Sequence, residues 1–115
     1  MTVKEAIRKA DAMRPNAIPD ETKAAWLYEV EGELAEMMDV DAPENSWPET
    51  DAELLMPYPH DGMYALYLMA MIDNANEETA LYQNDMVIAQ NAINESRAWW
   101  WRNSSNRKGY TIKVM

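Results

Sequence analysis

At 115 residues, with 48% apolar residues, no cysteine and a net charge of −10, the chain has one domain's length and enough apolar material to bury a core. The lack of cysteine excludes a disulfide framework, thiol catalysis and Cys-ligated zinc. Residues 20–61 carry thirteen acids against Lys23 alone, and residues 97–115 carry five bases and no acid, so most of the surface repels phosphate and ordinary nucleic-acid gripping is not expected.

Charge appears at once in Thr2-Val3-Lys4-Glu5 and no apolar core follows, which is unlike a signal peptide. The longest nearly apolar run, 63–72, has about half the length needed to cross a bilayer. A soluble, intracellular protein with no membrane partner is the expectation.

Thr2 and Glu5 have capping-box spacing, and Val3, Ala6, Ile7, Ala10 and Met13 recur at helical intervals, which predicts a first helix over 3–13 stopped by Pro15. Pro19 suits the first position of a second helix, with Asp20 and Glu21 at its positive end. Leu27, Val30, Leu34 and Met37 form its inward stripe with Trp26 beside it, and Glu29, Glu33 and Glu36 lie opposite. Gly32 costs helix stability or permits close packing by a neighbour.

Residues 39–61 form a long acidic connection with four prolines, in which Leu54-Leu55-Met56 reads as a short extended piece. Trp47 there is either a lid over the core or a contact point. A third helix is expected over 62–75 with Tyr64, Leu68 and Met71 or Ile72 inward. Asn74 can end it and Asn76 can cap the next, with Glu77 and Glu78 at the new start. The fourth helix runs to about Asn103. Beyond it, residues 110–114 alternate like a strand, which needs the 54–56 segment or a neighbouring chain as partner. The fold class expected is all-α: one four-helix domain over 1–115, with a long acidic loop and a short strand-like C-terminal tail.

No catalytic apparatus is legible. His60, the lone histidine, is flanked by Pro59 and Asp61 in a loop without a motif-like nucleophile, and is expected to be solvated. The three glycines are too scattered for a phosphate cradle, and the loop carboxylates lack calcium-loop spacing. No enzyme activity, cofactor or metal is expected.

The aromatic residues say more. Successive helical residues point about 100° apart, so Trp99, Trp100 and Trp101 together sweep about 200°. A helix packed on a single core buries a stripe a little over 100° wide, so at least one tryptophan faces something else. Tyr82, Met86, Ala89, Ile93 and Trp100 make one stripe upstream, and Leu81, Ile88, Ala92 and Trp99 a second beside it. The candidate protein-interface residues are therefore Trp99, Trp100, Trp101, Tyr82 and Ile88, with Tyr110 and Ile112 of the tail.

Arg14-Pro15-Asn16, Lys23, Trp26-Leu27, Glu31-Gly32 and Pro57-Tyr58 carry a family likeness, strongest in Tyr64, Tyr67-Leu68, Ala70-Met71-Ile72-Asp73, Asn76, Glu78, Tyr82, Asn84, Asn91, the tryptophan run and Arg102. In these residues, over most of its length, the chain resembles the small helical head–tail connector (adaptor, or head-completion) proteins of tailed bacteriophages and prophages. The resemblance implies a virion structural protein of the neck region, made in the bacterial host cytoplasm and added beneath the portal of a filled capsid. It implies self-association into a ring, on the portal if not before, with portal and tail or head-completion proteins as partners. DNA would pass through such a ring without specific binding. From composition alone the alternative is an acidic binding protein, a DNA mimic or a sequesterer of a basic partner.

Overall fold

The computed structural model describes residues 1–49 and 51–108, residues 104–108 by backbone alone. Four helices carry the fold: α1 (Val3–Met13), α2 (Asp20–Met38), α3 (Gly62–Ala75) and α4 (Thr79–Lys108). The domain is all-α with four helices, as expected, and α4 runs five residues past the expected end at Asn103. The strand expected over 110–114, with Tyr110 and Ile112, lies outside the described residues.

The capping box at the start of α1 forms: the Thr2 side chain accepts from the Glu5 amide and the Glu5 carboxylate accepts from the Thr2 amide. Val3, Ala6, Ile7 and Ala10 are buried, whereas Met13 projects into solvent in the last turn. Asn16 shapes the link to α2, donating to Asp11 and the Arg14 carbonyl while accepting from the Ile18 amide. The buried Lys23 ammonium locks the same corner, donating to both Asp11 oxygens at 2.8 and 3.0 Å and to Asn16 at 3.1 Å. A buried ammonium is sustainable only with partners of this kind.

Pro19 is the N-cap of α2 rather than its first residue, and its carbonyl accepts from Thr22 and Lys23. Leu27, Val30, Leu34 and Met38 are buried, and Met37, expected inward, is 49% exposed. The inward face steps from Leu34 to Met38 by four residues, which leaves Met37 about 100° away. No atom of the described residues would lie within 4 Å of a Cβ at Gly32, so none of them needs glycine there for close packing.

Two helices end in the same device. The Val40 amide reaches the Ala35 carbonyl at 3.0 Å and the Asp39 amide reaches Glu36 at 3.4 Å, with Asp39 left-handed at φ 58°. The Glu78 amide reaches Asp73 at 2.9 Å and the Glu77 amide reaches Asn74 at 3.1 Å, with Glu77 at φ 59°. Both are Schellman closures, which satisfy the last carbonyls from the backbone. The α3–α4 break is thus made at Glu77 and Glu78, not by Asn74 ending one helix and Asn76 capping the next.

The acidic connection is tied down along its length. Trp47 packs on the core beside Lys4, Ile7 and Arg8 of α1, which makes it a lid. Asp51 accepts from the Lys4 amide, and Thr2 and Glu53 form an antiparallel bridge flanked by Val3–Ala52 and Leu54–Met1 bonds. The Leu55 amide donates to Glu31 at 2.8 Å, the Met56 amide to the Tyr64 hydroxyl at 2.9 Å, and that hydroxyl to Glu31 at 2.6 Å. The amides of 54–56, expected to await the C-terminal tail, are therefore all engaged within the domain. Burial raises the Glu31 carboxyl and the Tyr64 phenol above their ordinary values.

Where α1, α3 and α4 meet, Arg14 bridges Asp73 at 3.1 Å and Asp85 at 2.7 Å. One guanidinium cannot neutralise two buried carboxylates. Burial, reinforced by the neighbouring Asp85, pushes Asp73 up to about 6, while Asp85 is held below its ordinary value, chiefly by its bond to Asp73. Because the folded value of Asp73 exceeds the unfolded one of 3.8, its contribution to stability is fully present below that pH and lost as pH rises through about 6. Asp85 contributes in the opposite sense, above 3.8, and stays ionised in both states from pH 5 to 7. Urea unfolding should accordingly lose about 1 kcal/mol more between pH 5 and 7 in the native chain than in Asp73→Asn, which copies the protonated form. Parallel pH profiles of the two proteins would contradict this assignment.

Candidate protein interface

Nearly all the packing of α4 is against α3. Its first stripe faces this core: Ala89 and Ile93 are buried, and Tyr82, Met86 and Trp100 are half-buried. Asp85 sits in the same stripe, three residues from Tyr82 and four from Ala89, and is the residue that meets Arg14.

The second stripe divides along the helix. Ala92 and Trp99 are half-buried against the core, whereas Leu81 and Ile88 are 42% and 44% exposed. Trp99 owes its cover to the end of the acidic connection. The His60 ring lies over it, centroids 4.5 Å apart and planes tilted by 30°, and the His60 carbonyl is within 3.3 Å of the Ser96 hydroxyl. His60 is thus half-buried against Trp99, not solvated as expected.

Trp101 is 45% exposed. Among the tryptophans of the run it is the one turned furthest from the chain's own core, while Trp99 and Trp100 pack on it. Of the five candidate residues within the described region, Ile88 and Trp101 therefore present large apolar surface outward, Trp99 and Trp100 pack on the domain's own core, and Tyr82 is half-buried. Val87, 61% exposed and outside both apolar stripes, joins the outward set. The signal was a spacing of seven through Val87, Asn94 and Trp101, which aligns them on one helical face.

Beside this face lies a groove of about 230 Å³ between α2 and α4, floored by Val30, Leu34 and Ile93 and edged by Glu33, Glu36 and Arg97. It continues past Met37 and Arg97 to a shallow surface ending at Trp101. The Arg97 guanidinium donates to Asn94 at 2.7 Å and contacts the Met37 sulfur, while its Nε is buried without a hydrogen-bond partner. Glu29, Glu33 and Glu36 are exposed, as expected, and none makes an ion pair among the described residues. Burial first, then the charges of Glu29 and Glu33, raise the Tyr67 phenol at the groove wall.

Among the described residues no cluster of His, Asp or Glu is arranged to hold a metal ion, and no helix is long and apolar enough to cross a membrane. Comparison of the chain with protein-family models, with curated proteins and with solved structures finds no match.

The unequal cover of the tryptophans has a direct consequence. Trp100→Ala should cost about 2 kcal/mol of unfolding free energy and Trp101→Ala less than about 1 kcal/mol. Denaturant titration of the two variants measures this, and an equal or reversed ranking would show that Trp101 belongs to the core.

Proposed function

We propose that this chain is a structural connector of a tailed-phage or prophage particle, seated in the neck between portal and tail and acting as one of a ring of like copies. One observation carries the proposal: after α3, with a smaller contribution from α2, has packed on α4, Leu81 and Ile88 remain outward on one flank of the helix and Val87 and Trp101 on another. Exposed apolar faces of this kind mark protein contacts. The identity of the partners rests on the likeness to head–tail connectors. Several residues of that likeness, among them Arg14, Asn16, Lys23, Glu31, Tyr64 and Asp73, are the ones whose hydrogen bonds join the helices here. The strong negative charge is compatible with DNA passing through the ring, since it offers phosphates few counter-charges.

The outward ridge of Glu29, Glu33 and Glu36 supports a second reading, an acidic protein that binds a basic partner or mimics DNA. Mixing with the cognate portal separates the two. Native mass spectrometry and negative-stain imaging should show multiple copies forming a ring on the portal, with no dependence on a basic ligand. Absence of association with both portal and tail proteins, together with tight binding to a nuclease or repressor, would overturn the connector proposal.

A further inference from the structure

The groove between α2 and α4 combines three features: an apolar floor, a carboxylate edge from Glu33 and Glu36, and an indole at one end. A basic segment fits this chemistry. Carboxylates pair with guanidinium groups, and an aromatic face attracts them. The Arg97 side chain at the groove edge is held by Asn94 and Met37, and among the described residues neither Glu33 nor Glu36 has an ion-pair partner.

The chain carries such a segment. From Arg102 to Lys108 there are three bases and no acid, and Arg102 is exposed. That segment cannot reach the groove of its own molecule. Residues 97–108 continue the helix that walls the groove, and Arg107 lies roughly 20 Å along its axis from Ile93 at a rise of 1.5 Å per residue. A straight helix does not fold back on its own side. The basic end of α4 can therefore enter such a groove only in another molecule.

We infer that the basic end of α4 in one copy docks in the acid-edged α2–α4 groove of the next. Donor and acceptor surfaces differ, so the contact is head-to-tail and each docked copy keeps one surface of each kind available. Such contacts close into rings when the rotation allows, and the charge pairing selects this register over like-on-like packing. The inference rests on the connector reading and specifies which surfaces meet within the ring.

Two full-length variants test it: Glu33→Gln with Glu36→Gln, which blunts the groove, and Arg102→Gln with Arg107→Gln and Lys108→Gln, which blunts the donor. Sedimentation velocity at high protein concentration and low salt should show native chain growing beyond dimers. Each variant alone should associate about tenfold more weakly, and an equimolar mixture should form a 1:1 pair that grows no further. Added salt should weaken the native association. Circular dichroism checks that both variants fold; all five residues are on helices, and Glu33, Glu36 and Arg102 are exposed.

A native chain that stays monomeric, variants that associate as the native chain does, or a mixture that does not pair would each overturn the inference. Ring formation on the portal that is indifferent to these substitutions would overturn it while leaving the connector proposal standing. Failure to associate with portal and tail proteins bears on that proposal alone.

Discussion

The Glu31 side chain is fully buried with no ion-pair partner among the described residues, and the arrangement of the domain depends on how its oxygens are satisfied. Its two oxygens accept from the Leu55 amide and the Tyr64 hydroxyl, and that hydroxyl accepts from the Met56 amide. One side chain of α2 thereby fixes the acidic connection against α3. Removing either Glu31 or Tyr64 would strand buried partners, and each stranded group costs about 1–3 kcal/mol. With 55 and 56 held, Leu54 and Met56 enter the core and the chain runs on to His60 above Trp99. The cover over Trp99 is set at Glu31.

Two other buried polar clusters tie the remaining corners. Lys23 joins α2 to the end of α1 through Asp11 and Asn16, and Arg14 joins α1 to α3 and α4 through Asp73 and Asp85. In each, a charge on one helix meets partners from another segment, so helix placement is fixed by geometry as well as by apolar area. Broken pairs of this kind are costly, which favours a single arrangement of the helices. A domain joined in this way, with large apolar residues of α4 left outward, suits a subunit whose contacts are made with other chains.

The helices were legible because their apolar spacing and stop signals are strong: the Thr2–Glu5 box, Pro15 and the 62–75 run lie where the sequence places them. The outward turn of one tryptophan was also legible, since three in succession cannot share one stripe. The buried charges were not read, although they left a trace. Lys23 is four residues before Leu27, Glu31 three before Leu34, and Asp85 four before Ala89, so each interrupts an apolar stripe at a core position. Their partners come from distant segments, which local spacing does not reveal. The Schellman closures at Asp39 and Glu77 escaped for another reason: both use an acidic residue where glycine is the usual signal. His60 on Trp99 joins residues 39 apart, beyond the reach of any local pattern.

If the connector proposal holds, the outward residues of α4, Leu81 and Ile88 on one flank and Val87 and Trp101 on another, are covered by other protein in the assembly. Site-specific photocrosslinking tests this directly, with a photoreactive residue at position 88 or 101 and a control at the exposed loop residue Glu44, each mixed with the proposed portal partner. The account requires strong crosslinks from 88 and 101 to another copy or to the portal, and few from 44. Equal crosslinking at all three positions, or none from 88 and 101, would contradict it.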